Sequence, residues 1–215
     1  NLCDYKAACY AGTEQGIAAT KSFTSQMLCL ILISLKLVEK IHGDNATIGY
    51  KKSLFSLPAV VDKALAKRED IKKLAAILAK ENTIVITADG ISYSLAKEAA
   101  LKIKETSYKN ISAAILGEFM HGHVAVLNNP SMLIYIAVDE ISKRSVSNLN
   151  KIKEDYKPKL VIIGPAGEEV KPDCNINIVS ENEIQQMFAN VVICQQLALE
   201  TALKLKRNVD HPRGL

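Results

Sequence analysis

The chain is poor in aromatic residues, which make up 5% of it, and its 27 basic and 23 acidic residues are interspersed rather than blocked. No basic run carries interleaved aromatics, so a nucleic-acid partner has little support. Long hydrophobic runs are missing too. The longest, residues 27–35, is interrupted by Ser34 and stopped by Lys36, short of the roughly 18 to 20 residues a membrane span needs. No segment reads as a signal peptide, and the expectation is a cytoplasmic protein without a membrane partner. The five cysteines (Cys3, Cys9, Cys29, Cys174, Cys194) are odd in number and show no CxxC spacing. Most lie in apolar runs and read as reduced core residues. The four histidines are scattered, so no metal site is expected.

With 48% hydrophobic and 23% charged residues over 215 positions, the chain can bury one full domain plus part of another. The mild net charge of +4 would suit an anionic small molecule. Residues 1–10 read as a loop and a short edge strand, and 11–16 as a turn. Residues 17–41 then form one long helical pattern, apolar on most sides between Met27 and Val38. Such a helix must be buried between other elements, yet nothing before it is large enough to bury it. The expectation is that half a domain is missing or that a partner chain covers this stripe. His42 follows the helix as a partner for its dipole.

Residues 43–52 read as a linker, and 53–80 as a helix with Pro58 near its start. Residues 83–87 (TIVIT) form a β-branched strand. Ala88-Asp89-Gly90 then turns into a helix whose N-terminus would face an anion. Further strands are expected at 131–138, 160–163 and 174–179. Helices are expected at 141–155 and from Glu181 or Asn182 to about 206. This alternation predicts an α/β fold, a three-layer αβα parallel sheet, with its ligand beyond the carboxyl ends of the strands.

The chemistry gathers in residues 96–123. On a helix Glu98, Lys102 and Glu105 share one narrow face at i, i+4, i+7. Ala96, Ala99, Ala100 and Ile103 fall opposite, and Lys97 and Lys104 point to water. Two carboxylates around an ammonium, followed by the GEFMHGH loop with Glu118, His121 and His123, can exchange protons with a small substrate. The alternative is a salt-bridged surface helix, in which such pairs are weak.

Four stretches, AGTEQGIAATKSFTSQ (11–26), EAALKIKETSY (98–108), GEFMHGH (117–123) and VDHPRGL (209–215), stand in order. Together they resemble the sugar isomerase (SIS) family, in the form found in the isomerase half of glucosamine-6-phosphate synthases, the glutamine–fructose-6-phosphate aminotransferases. The resemblance implies a flavodoxin-like fold with residues 1–42 closing a first SIS domain, 43–52 linking, and 53–215 forming the second. It implies ketose–aldose isomerisation of a sugar phosphate without metal or organic cofactor. Glu105 would move the proton between C1 and C2, with Lys102 assisting. His121 would open the sugar ring in the site of a neighbouring subunit of a homodimer. Ile17 would make a backbone contact to the sugar beside Glu14, with Glu98 and Glu118 in support and His123 facing solvent. A glutaminase domain, upstream or on another chain, would supply ammonia.

The family's Ser-x-Ser-Gly-type phosphate loop is not present here and is expected in the missing part. The chain departs from the family in two places. It stops before the terminal imine-forming lysine, so a fragment inactive by itself is expected. It also has Gly122-His123 and Phe119-Met120 where the synthases have Gly-Pro and Leu-Lys. GEF-type loops occur in relatives that release ammonia, so an amino-sugar-phosphate deaminase or fructosamine-phosphate deglycase is the alternative. A non-catalytic sugar-phosphate-binding module is an alternative of another class.

Overall fold

The computed structural model describes residues 4–128 and 130–214. After an irregular segment come α1 (Lys21–His42), a 3-10 turn (Asp44–Thr47), α2 (Ile48–Phe55), α3 (Leu57–Leu65) and α4 (Arg68–Leu78). Then follow β1 (Thr83–Ala88), α5 (Ser92–Ser107), β2 (Ile111–Ile115), α6 (Leu116–Phe119) and a second 3-10 turn (His123–Val126). The chain finishes with β3 (Ser131–Ile136), α7 (Lys143–Tyr156), β4 (Lys159–Ile163), β5 (Cys174–Ile176) and α8 (Glu183–Lys204).

The five strands pair in the order β2-β1-β3-β4-β5, every pair parallel. Alternate residues of each strand enter opposite cores. Ile84, Ile86, Met132, Ile134, Val161 and Ile163 join one core with α3, α4, α5 and α8. Val85, Leu133, Tyr135, Leu160 and Ile162 join the other with α6 and α7. A strand buried on both faces reads as a continuous apolar run, which is why β1, β3 and β4 were visible in sequence. The expected three-layer parallel sheet is the observed one.

Helix α8 is the keel of the first layer. Asn182 caps it, accepting from the Gln185 N–H at 3.1 Å and donating to the Ser53 hydroxyl at 2.7 Å. Its buried amides are all spoken for, since an orphaned one would cost about 1–3 kcal/mol. Gln185 donates to the Ser53 carbonyl and Ser56 hydroxyl, each at 2.8 Å, and Asn190 to the Ala137 carbonyl at 2.7 Å. Gln196 donates to the Ala64 carbonyl at 2.9 Å.

Several expectations need correction. Strand β2 was not expected. Its sequence ISAAI is half exposed, being an edge strand, and so lacks the apolar run that marks the others. The expected helix over 53–80 is three helices, with a new one starting at Leu57 because Pro58 offers no N–H and suits a first turn. The segment 43–52 is largely helical. No strand forms among residues 4–20.

Helix α1 is not buried by this chain. Leu30 is 65% and Ile41 72% exposed, and Leu35 and Glu39 are its buried residues. As a whole helix it is long and apolar enough to cross a membrane, a test that core helices of soluble proteins also pass. Cys194 is buried, whereas Cys9, Cys29 and Cys174 are only partly so. Cys3 lies outside the described residues.

Glycine is obligatory at position 164, where β4 leaves the sheet. Its φ is +109°, and a Cβ there would stand 1.9 Å from the Ala137 carbonyl oxygen. Gly164→Ala should cost on the order of 3 kcal/mol, measured as a lower urea midpoint. An unchanged midpoint would contradict this packing.

Candidate active site

Helix α5 leaves β1 through Asp89-Gly90 and runs back along the sheet against α8. Ala96, Ala99, Ala100 and Ile103, the expected apolar side, are all buried, and their small side chains let the two helices approach closely. This places the charged face at the rim of the α5/α8 contact. The Lys102 ammonium lies 2.8 Å from Glu105 Oε2 and 3.6 Å from Glu98 Oε1, and the Lys102 side chain is only 8% exposed. That rules out a solvated surface pair. Glu98 Oε1 is enclosed and accepts no hydrogen bond, 3.6 Å being an ion-pair distance but not a bonding one. Burial raises the Glu98 carboxyl above its ordinary value against the pull of Lys102, and the Glu105 charge adds to the rise.

Lys102 lines a cavity of about 260 Å³, near the lower size limit of small-molecule sites. Segment 14–20 forms one wall through Glu14, Gly16, Ala18 and Thr20, and Thr106 of α5 and Gln195 and Gln196 of α8 form another. The tail closes it with Val209 and Asp210. This cavity is not at the carboxyl ends of the strands, contrary to expectation. A crossover helix runs antiparallel to its strands, and ten residues of helix from Ser92 to Lys102 retreat about 15 Å from that rim. The carboxyl-end crevice instead carries acids. Asp89 accepts from the Tyr135 hydroxyl at 3.1 Å and the Ser145 hydroxyl at 2.8 Å. Asp139, Glu140, Glu181 and Glu183 line a hollow beside β4 and β5. That charge is the wrong sign for a phosphate.

Glu14 is the cap of α1. Its carboxylate accepts from the Thr20 N–H at 3.0 Å, the Thr20 hydroxyl at 2.8 Å, the Ser22 N–H at 3.0 Å and the Ser22 hydroxyl. Burial alone would raise its pKa, but the hydrogen bonds from Ser22 and Thr20 together bring it down to about 2. These bonds explain why α1 starts at Lys21 and not at Ile17. Ile17 is exposed, and its N–H donates to the Asp210 carbonyl at 3.4 Å.

Of the residues singled out in sequence, the structure joins Glu98, Lys102 and Glu105 in one ion triad and places Glu14 on the cavity that Lys102 lines, which Glu98 and Glu105 do not line, with Ile17 on the adjoining strap. It does not bring His121 or Glu118 to them. His121 is exposed after α6, its N–H donating to the Glu118 carbonyl at 3.0 Å. Exposed Glu118 lines a separate hollow of about 400 Å³ with His123, beside the edge strand β2.

Sequence reasoning missed Asp210, although it sits in the VDHPRGL motif, and it missed Tyr108. Tyr108 ends α5 in a left-handed conformation, φ +62°, a position that favours glycine. Its hydroxyl accepts from the Arg213 N–H at 2.8 Å. The guanidinium groups of Arg213 and Arg207 stand 4.5 Å and 5.1 Å from its ring, close enough for cation–π attraction. The tail that closes the cavity is thus tied to the end of the helix that carries Lys102.

Two outcomes follow from these charges. Lys102→Ala leaves two carboxylates facing each other without their cation and should cost about 3–5 kcal/mol at pH 7. Glu98, already raised by burial, would lose the opposing pull of Lys102 and titrate higher still in the folded chain. Stability held below the unfolded value is lost as pH rises, so the deficit should shrink toward pH 5 in urea titrations. A deficit independent of pH would contradict the buried triad. Glu14 has the opposite sign. Its contribution is complete above its ordinary value of 4.5 and disappears as pH falls toward 2. Glu14→Gln should therefore lower the melting temperature at pH 7 and much less near pH 2.5, by circular dichroism.

Residues 77–205 match the family description "SIS domain". Over 208 residues the chain is 32% identical to the glutamine–fructose-6-phosphate aminotransferase of Methanococcus maripaludis, covering 95% of this chain and 34% of that protein. With the Escherichia coli enzyme of the same name it shares 30% over 211 residues, with the same coverage. The chain thus spans about a third of the length of the curated relatives it matches. The C-terminal domain of glucosamine-fructose-6-phosphate aminotransferase from Francisella tularensis superposes with a TM-score of 0.87 at 26% identity. That match covers 94% of this chain and 59% of the other. The glucosamine-6-phosphate deaminase of Thermotoga maritima shares the fold, at TM-score 0.67 and 22% identity.

Proposed function

The chain belongs to the SIS-domain family, and from that premise we propose that it is the sugar-phosphate ketose/aldose isomerase part of a glutamine–fructose-6-phosphate aminotransferase, making glucosamine 6-phosphate. One observation carries the reading: a buried ammonium on a cavity wall, held between two carboxylates. Isomerisation through an enediol or enolamine needs a base that removes a proton from one carbon and returns it to the next. Glu105 keeps part of its carboxylate accessible while bonded to Lys102 and is assigned that shuttle. Lys102 polarises the substrate oxygen, and its charge stabilises the enediolate. Glu98, half-buried with its Oε1 enclosed, holds the ammonium in place.

The sugar's contact on the strap is the Ile17 backbone, with Glu14 fixing the turn that presents it. Beyond Lys102 the cavity walls are acidic or neutral, with Glu14 and Asp210 among them. The phosphate is therefore gripped by groups outside this chain. The exposed apolar face of α1 agrees with residues 1–42 closing a preceding SIS domain. His121 opens the ring in the site of a second copy. Its support is that the imidazole is exposed, away from this chain's own Lys102 cavity. A glutaminase domain, upstream or on a separate chain, delivers ammonia in the cytoplasm, and the proton transfers require no cofactor. This segment by itself is expected to be inactive.

The test uses the full-length protein that carries this chain. Glu105→Gln should lower glucosamine 6-phosphate formation by about 10²–10⁴-fold while leaving fructose 6-phosphate affinity within about twofold. Retained turnover would overturn the assignment of Glu105. Ammonia release from glucosamine 6-phosphate, with no glutamine-dependent synthesis, would favour the deaminase. Mixing Glu105→Ala and His121→Ala chains should restore part of the activity if the imidazole is shared across a dimer, and none if it is not.

A further inference from the structure

Helix α5 ends on Tyr108, whose φ of +62° is one that glycine adopts without strain and a side chain does not. Glycine would end the helix as well, because the closing bond is made by the backbone, the Tyr108 N–H donating to the Lys104 carbonyl at 3.0 Å. What the tyrosine side chain adds is a hold on the tail. Its hydroxyl accepts from the Arg213 N–H at 2.8 Å, and its ring attracts the guanidinium groups of Arg213 at 4.5 Å and Arg207 at 5.1 Å. Between those two arginines the tail folds on itself. Asn208 Oδ1 accepts from the Asp210 and His211 N–H groups, each at 3.1 Å, and Pro212 is buried. At the middle of this span the Asp210 carbonyl accepts from the Ile17 N–H at 3.4 Å, and Val209 and Asp210 line the cavity beside Lys102.

We propose that Tyr108 is a positioning residue of the reaction, holding residues 207–213 so that the Asp210 carbonyl fixes the strap at Ile17. This rests on the assignment of Ile17 as the sugar's backbone contact and of Glu105 as the proton shuttle. The path runs from the Tyr108 ring and hydroxyl through the tail to the strap. It involves neither the Lys102 ammonium nor the Glu105 carboxylate, although all three side chains stand on one helix. A backbone contact to the sugar is made alike before and during the proton transfer. Loosening it therefore weakens substrate binding and leaves the chemical step as fast. The tyrosine's strained backbone is kept for alignment of the strap, since stability alone would be served by glycine.

The experiment compares Tyr108→Gly and Tyr108→Phe with the wild type in the full-length protein. Tyr108→Gly removes ring and hydroxyl but suits the left-handed turn, so its melting temperature should stay within about 3 °C of the wild type's. Its KM for fructose 6-phosphate should rise about fivefold, the worth of one hydrogen bond, with kcat within about twofold. Its Ile17 amide should exchange hydrogen at least about threefold faster. Tyr108→Phe keeps the ring for both arginines and should raise KM only about twofold. Wild-type KM in Tyr108→Gly would overturn the proposal, as would a fall in kcat with KM unchanged. Unchanged exchange at Ile17 would overturn the path through the tail, and a larger drop in melting temperature would make the ring a structural cap. Glu105→Gln is assayed alongside. Turnover retained there removes the assignment on which the proposal rests, whereas turnover lost there with wild-type KM in Tyr108→Gly sinks the positioning role alone.

Discussion

An ammonium almost out of water, held by two carboxylates on the same helix, is the constraint around which the rest is arranged. Lys102 can be buried because Glu98 and Glu105 stand one turn away on either side. Both carboxylates can lie this close to each other only because the cation is between them. Removing Lys102 leaves two carboxylates without their cation in a poorly hydrated place, whereas removing either carboxylate leaves the ammonium one partner. The small residues on the opposite face of α5 bring α8 close and close off solvent behind the triad. The strap and the tail then finish the enclosure from the other side.

That enclosure is built from parts distant in sequence. Glu14 makes the turn before α1, Asp210 meets the strap at Ile17, and Tyr108 ties the tail to the end of α5. The sheet contributes rigidity. Its carboxyl-end crevice, the usual ligand position in such folds, is occupied here by acidic side chains. The face that carries Glu98, Lys102 and Glu105 lies instead on the helix layer, about 15 Å back from that rim.

Much of this was legible in the residues. The i, i+4, i+7 spacing put Glu98, Lys102 and Glu105 on one face, and the continuous apolar runs of β1, β3 and β4 gave a parallel sheet. Where the reading failed, the physics explains why. Strand β2 is half exposed and carries two alanines, so no pattern separated it from a loop. The cavity's position could not follow from strand–turn–helix order, because the distance a helix retreats from the rim shows only once its length is known. Glu14 was placed beside the Ile17 sugar contact, and its motif is silent about the five donors that converge on it. Helix α1 was expected to be buried from its composition, and among the described residues most of its apolar face stays exposed.

The most direct measurement is a crystal structure of the full-length protein with a bound hexose 6-phosphate. The account predicts the sugar's C1 and C2 within about 3.5 Å of the Glu105 carboxylate, with the Lys102 ammonium on a substrate oxygen. A sugar bound in the acidic crevice at the carboxyl ends of the strands, with the Lys102 cavity empty, would contradict it.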